Sequence, residues 1–151
     1  MNKFKTAPNI KIPSTNGEIF ELKKIKNKFL VLYFYPKDDT PGCTVETKDF
    51  NSLLSKFKNL DCAVFGISKD DMRSHDKFKE KYKVKFDLLS DEKKEALKAF
   101  KVWGKKKFMG KEFMGVIRST FVINNKIIKE WRSVKVKDHA KEVLEFIKKT
   151  N

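Results

Sequence analysis

Apolar residues follow a few distinct patterns along the chain. Residues 29–34, Phe-Leu-Val-Leu-Tyr-Phe, form an unbroken apolar run. A run of that length, rich in aromatic and branched residues, predicts a strand covered on both faces. Residues 62–67, Cys-Ala-Val-Phe-Gly-Ile, predict a second buried strand. Between them Cys43, Phe50, Leu53, Leu54 and Phe57 recur near helical spacing, which predicts a helix over 43–58. Strand, helix and strand in that order make a βαβ unit with a parallel pair and a right-handed crossover.

The flanks extend this plan. Residues 9–12 and 18–22 alternate around Asn16-Gly17, as an N-terminal β-hairpin would. Ser68-Lys-Asp-Asp71 supplies cap residues for a helix over 71–82, with Met72, His75, Phe78 and Tyr82 on one face. Residues 86–89 predict a short strand, and 92–101 a helix with Ala96, Leu97 and Phe100 inward. Residues 105–115 hold Phe-Met-Gly twice and show no period, so a loop pinned by apolar plugs is expected. Val116–Ile123 and Lys126–Trp131 read as a strand pair turning at Asn124-Asn125. Asp138 opens a last amphipathic helix carrying Ala140, Val143, Leu144 and Ile147 inward. These elements predict an α/β fold, a central mixed sheet flanked by helices. No linker interrupts residues 1–151, so a single domain is expected.

The segment between the first buried strand and its helix is Tyr35-Pro-Lys-Asp-Asp-Thr-Pro-Gly-Cys43. Thr40 suits an N-cap and Pro41 the first helical position, while Gly42 lets the backbone approach another group closely. Cys43 then sits in a first helical turn, at the carboxyl end of a central strand. Such a turn offers unpaired N–H groups and the positive end of the helix dipole. Both favour an anion, and a thiolate is one. Nucleophilicity falls as a thiol becomes more acidic, so fast chemistry there also requires activation of the substrate. The Thr40 hydroxyl could face the same pocket. A plainer alternative makes Thr40 only a cap and Cys43 only a small buried hydrophobe.

Composition narrows the field. The chain has 151 residues and a formal net charge of +15. Its basic residues are almost all Lys; the only arginines are Arg73, Arg118 and Arg132. Base-reading surfaces lean on arginine. Lysines spread along the chain among 20 acidic residues argue for a solvated surface and against nucleic-acid binding. Met1–Pro8 lacks the apolar core of a secretory signal, and no apolar run reaches membrane-spanning length. Two cysteines are too few for a disulfide scaffold and fit a reducing compartment. A cytoplasmic protein with no membrane association is expected.

Arg118 opens an otherwise apolar strand, so its guanidinium needs an anion nearby. That anion could be a thiolate or a carboxylate such as Glu46, and Glu46 could orient Arg118 toward the sulfur. Cys62 heads a buried strand and reads as core rather than as a second reactive thiol. There is no Cys-x-x-Cys pair, which argues against dithiol exchange at one motif. His75 and His139 lack partners at metal-ligand spacing, and no metal or other cofactor is expected. Ser119 and Thr120 read as strand residues.

Phe34-Tyr-Pro-Lys-Asp-Asp-Thr-Pro-Gly-Cys-Thr-Val-Glu46 resembles the active-site segment of the peroxiredoxins. It is most similar to the bacterioferritin comigratory protein, or PrxQ, branch. Pro36, Thr40 and Cys43 match the family pattern, and the segments around Trp103 and from Gly115 to Ile123 resemble the same branch in the same order. The resemblance implies a thioredoxin-like fold and reduction of hydrogen peroxide and small organic hydroperoxides. It makes Cys43 the peroxidatic cysteine, which becomes a sulfenic acid. Thr40 would bond the substrate oxygens, Pro36 would shield the sulfur, and Arg118 would hold negative charge there. Many members of the branch carry a resolving cysteine five residues after the peroxidatic one, where this chain has Lys48; others carry it in the following helix, which here has none. The expectation is therefore a one-cysteine cycle. Its reductant would be thioredoxin, glutaredoxin or a low-molecular-weight thiol, and the protein would be a monomer.

Overall fold

The computed structural model describes residues 5–151. The first four residues of the Met1–Pro8 stretch lie outside them. In chain order the strands and helices are β1 (Lys5–Thr6), β2 (Lys11–Pro13), β3 (Ile19–Glu21), β4 (Phe29–Phe34), α1 (Pro41–Ser52), α2 (Leu54–Asn59), β5 (Cys62–Ser68), α3 (Met72–Tyr82), β6 (Leu88–Ser90), α4 (Glu95–Ala99), β7 (Trp103–Phe108), β8 (Lys111–Val116), β9 (Ser119–Asn124), β10 (Lys126–Arg132) and α5 (His139–Thr150). A 3-10 turn covers Leu22–Lys24.

The main sheet runs β1-β10-β9-β4-β5-β6. β4 pairs with β5 in parallel and with β9 antiparallel, so it lies at the centre and every one of its residues is buried. Its side chains alternate between two cores. Phe29, Val31 and Tyr33 meet Phe50 and Phe57 of the α1–α2 arm and Val143, Leu144 and Ile147 of α5. Leu30, Leu32 and Phe34 meet Ile12 and Phe20 of the N-terminal hairpin, Leu97 of α4 and the adjacent Phe100. That two-sided demand explains the unbroken apolar run.

The hairpin β2–β3 forms, but as a two-stranded sheet of its own, joined to the main sheet by a bridge from Ser14 to Leu89. The expected single helix over 43–58 is two helices. The chain leaves helical geometry at Leu53, whose N–H is shared between the carbonyls of Asp49 and Phe50. The helix over 92–101 shortens to α4, because Lys94 and Lys101 take left-handed backbone angles at its ends. Asp91 closes its start by accepting the N–H groups of Ala96 and Leu97.

Residues 105–115 correct the expected loop. They form the β7–β8 hairpin, turning at Met109 and Gly110, which both have positive φ. Two such residues in a two-residue connection match the twist of antiparallel strands. The expected apolar plugs do not plug: Phe108, Met109, Phe113 and Met114 are 68, 86, 47 and 50% exposed. Arg118 also sits just before β9 rather than inside a strand that begins at Val116.

Candidate active site

Thr40 has extended backbone angles and precedes Pro41 at the first position of α1. The first intrahelical bond runs from Thr44 N–H to the Thr40 carbonyl at 2.8 Å, so the N–H groups of Gly42 and Cys43 precede it. The Thr40 side chain makes no cap bond. Its hydroxyl donates to the Lys37 carbonyl at 2.8 Å, which leaves the oxygen able to accept. Pro36 and Thr40 are half-buried, and Cys43 is 1% exposed.

Arg118 reaches this place through sheet register. Phe34, the last residue of β4, pairs with Ser119, the first of β9. Antiparallel pairing therefore sets the residue before Ser119 beside the carboxyl end of β4, where α1 starts. Arg118 Nη2 lies 3.4 Å from Cys43 Sγ, and Nη1 donates to Glu46 Oε1 at 2.6 Å. Gly42 permits the approach: a Cβ there would lie 3.2 Å from Nη2. Burial opposes the charge of Arg118, but Glu46 and Cys43 more than compensate and hold the guanidinium above its ordinary pKa. Glu46 is the member of the pair that titrates. Burial pushes its carboxyl up to about 7, against the pull of Arg118. Its second oxygen, Oε2, is buried and has no hydrogen-bond partner among the described residues.

Cys62 lies at the amino end of β5, paired with Phe29, while Cys43 lies beyond Phe34 at the other end of β4. At about 3.3 Å per residue, the strand alone separates these ends by about 16 Å. Burial and the nearby charge of Asp61 push the Cys62 thiol up to about 12. Lys48, five residues after Cys43, is exposed with its ammonium over the Tyr82 ring.

The local pattern of the sequence missed a polar network behind the site. Asp38 accepts from Tyr35 Oη at 2.6 Å and from Ser74 Oγ at 2.8 Å, and its Oδ2 lies 2.7 Å from His75 Nδ1. His75 Nε2 donates to the Leu89 carbonyl at 3.0 Å. Asp70 accepts from Asp38 N–H and Ser68 Oγ. So His75 does have acidic partners in space, and ligand atoms of Asp38, Asp70 and His75 lie within 4.8 Å of one another. Each is engaged in hydrogen bonds that tie the loop after β4 to α3. His139 pairs with Thr120 Oγ1 at 2.8 Å, and burial pushes its imidazole down to about 4.

A central thioredoxin-like sheet with a buried cysteine in a first helical turn and an arginine against the sulfur defines a class: enzymes that work through one reactive thiol. The comparisons give the family. The AhpC/TSA family matches residues 4–131. Peroxiredoxin Bcp of Bacillus subtilis is 48% identical over 144 residues, covering 94% of this chain and 92% of that one. A cysteine-to-serine mutant of Xylella fastidiosa PrxQ superposes with a TM-score of 0.91 at 38% identity, covering 99% of this chain and 97% of that one. The bacterioferritin comigratory protein of Xanthomonas campestris, described for its alkyl peroxide reduction activity, matches with a TM-score of 0.88 at 38% identity, covering 93% of this chain and 91% of that one. The chain belongs to the AhpC/TSA family and is a peroxiredoxin of the Bcp/PrxQ branch, a thiol peroxidase.

Proposed function

We propose that residues 1–151 act as one domain that reduces hydrogen peroxide and small organic hydroperoxides through Cys43, in a one-cysteine cycle. The contact that carries this reading is Arg118 Nη2 at 3.4 Å from Cys43 Sγ, with Glu46 bonded to the other Nη. The Cys43 thiolate attacks one peroxide oxygen and the O–O bond breaks. Sulfur is oxidised to the sulfenic acid, and the other oxygen leaves as hydroxide or alkoxide and takes a proton to become water or an alcohol. Arg118 stabilises charge spread over sulfur and the leaving oxygen. Thr40 Oγ, its own proton committed to Lys37, accepts from the peroxide O–H. Pro36 keeps bulk water from the sulfur, Gly42 leaves room for the guanidinium, and Glu46 positions it. The near-complete burial of Cys43 favours small substrates.

An external thiol then condenses with the sulfenic acid, releasing water and forming a mixed disulfide that a second thiol reduces. Thioredoxin, glutaredoxin or a low-molecular-weight thiol could serve. Cys62 stays in the core, because its sulfur lies at the wrong end of β4–β5 and resists ionisation. We take the protein to be a cytoplasmic monomer; no helix among the described residues is long and apolar enough to cross a membrane. The test is peroxide consumption by wild type, Cys43→Ser and Cys62→Ser with dithiothreitol, followed by mass spectrometry after one equivalent of peroxide. Cys43→Ser should abolish turnover and Cys62→Ser should keep it. A Cys43–Cys62 disulfide in the wild type would refute the one-cysteine cycle.

A further inference from the structure

Among the described residues six large hydrophobic side chains stand exposed, and four of them, Phe108, Met109, Phe113 and Met114, fall within seven residues of the β7–β8 hairpin. Such a concentration marks a contact surface rather than scattered exposure. By the cross-strand register, Phe108 and Phe113 share one face of the ribbon with Lys106 and Lys111, while Met114 shares the other with Lys105, Lys107 and Glu112. The patch is therefore apolar and ringed by four lysines against one acid.

The hairpin grows out of the site. One residue separates its last position, Val116, from Arg118. Lys106 Nζ donates to the Val116 carbonyl at 2.9 Å. It is close enough to the reactive groups that its pKa is lowered by burial and then by the charge of Arg118, while Cys43 pulls the other way. Phe108 stands two residues further out, about 7 Å along the strand.

We propose that the β7–β8 hairpin is the docking surface for a protein reductant: an acidic dithiol protein that seats an apolar patch on Phe108, Met109 and Phe113 while its thiolate reaches the Cys43 sulfenic acid. The inference rests on the peroxidase reading above. Charge selects the occupant. A second copy of this chain in a two-fold contact would set lysine against lysine. An acidic partner meets opposite charge, which speeds encounter and fixes register. Redox chemistry points the same way, because Cys62 lies at the far end of the sheet and the second thiol must come from outside. The partner's thiolate attacks the sulfenic sulfur, hydroxide leaves and takes a proton to become water, and a mixed disulfide forms. The partner's second thiol then displaces Cys43 as a thiolate and leaves the partner oxidised.

The experiment compares two donors for the full chain: dithiothreitol, and purified thioredoxin recycled by its reductase and NADPH. The variants are F108S/M109S/F113S and the charge reversal K111E, on the face that carries Phe108 and Phe113. All of these positions are solvent-facing, and thermal unfolding by circular dichroism checks that each variant folds as the wild type does. Each variant should raise the KM for thioredoxin by about tenfold and leave the dithiothreitol rate and the KM for peroxide unchanged. Added salt should raise the wild-type KM for thioredoxin and raise that of K111E less. Thioredoxin KM values within twofold of wild type in both variants would overturn the proposal. So would dithiothreitol-driven turnover that thioredoxin cannot support, or oligothymidylate binding lost in the triple variant while its thioredoxin KM is unchanged. If the wild type consumes no peroxide even with dithiothreitol, the peroxidase reading itself fails and this inference falls with it.

Discussion

Glu46 offers the sharpest test of how the buried charges are balanced. Its carboxyl moves from 4.5 to about 7 on folding, because burial outweighs the pull of Arg118. A raised folded pKa means that the neutral form is the one the fold prefers. The stabilisation is fully present below about pH 4.5 and is lost as pH rises through about 7. A shift of that size corresponds to about 3 kcal/mol between those limits. The wild type alone would hide it. His139 is pushed from 6.5 down to about 4, so its contribution is present above 6.5 and lost as pH falls through 4, a change of similar size and opposite sign. Glu46→Gln separates the two, since glutamine never ionises and keeps an acceptor for Arg118. Urea unfolding of both proteins, followed by circular dichroism from pH 4.5 to 8, gives the difference in stability at each pH. Wild type should gain about 3 kcal/mol relative to Glu46→Gln on going from pH 8 to 4.5. The two m-values should agree, which keeps the comparison between like denatured states. A difference that stays flat across this range would mean that Arg118 overcomes burial and Glu46 is ionised throughout, and the charge balance drawn here would be wrong.

Arg118→Met should lower the peroxide rate by about 10²–10³-fold, the usual loss when a preorganised donor is removed. Arg118→Lys should recover little of it, because an ammonium is one point of charge and cannot bridge Glu46 and Cys43 as a planar fork does; recovery beyond half the wild-type rate in a peroxide-consumption assay would show that field alone suffices. Gly42→Ala should separate activity from stability. Alanine favours the helix by up to about 1 kcal/mol, yet its Cβ would crowd Arg118 Nη2 at 3.2 Å, so the peroxide rate should fall about tenfold while the urea midpoint holds or rises. Asp38→Ala removes the carboxylate that accepts from Tyr35 Oη and Ser74 Oγ and faces His75 Nδ1 and should cost about 3 kcal/mol in urea unfolding; a loss under 1 kcal/mol would show that water replaces the carboxylate.

Elements whose burial is uniform were legible in the sequence. β4, buried on both faces, reads as a solid apolar run, and α3 and α5 bury one stripe each, so their period survives in the residues. The β7–β8 hairpin was not legible, because its apolar side chains point to solvent and break the link between hydrophobicity and burial. Met109-Gly110 was the available signal: a glycine at the second position of a two-residue turn between residues that can pair. The helix start at Cys43 was local and so could be read from Thr40, Pro41 and Gly42. The network of Asp38, Asp70 and His75 draws on three segments that only the fold brings together. The position of Arg118 was half legible. A lone arginine beside an apolar strand announces a buried anion, but which anion depends on the pairing of Phe34 with Ser119, and register has no local signature.

That register also explains why an arginine, and why a glycine. The sulfur is presented by a helix start and the guanidinium by a strand start, so the two are fixed by separate elements and cannot adjust independently. A guanidinium is flat and rigid: once Glu46 takes Nη1, the direction of Nη2 is set, and it points at Sγ. Glu46 therefore aims the charge as well as balancing it, and it does so from the same helix that carries Cys43, one turn further on. The sulfur and the anchor move as one body, and Arg118 is clamped between them. At Gly42, on the inner side of that clamp, a Cβ would stand 3.2 Å from Nη2, in the path of the arginine. A site built this way holds its geometry through the stiffness of β4 and β9 rather than through contacts with substrate, so it is already formed before a peroxide arrives.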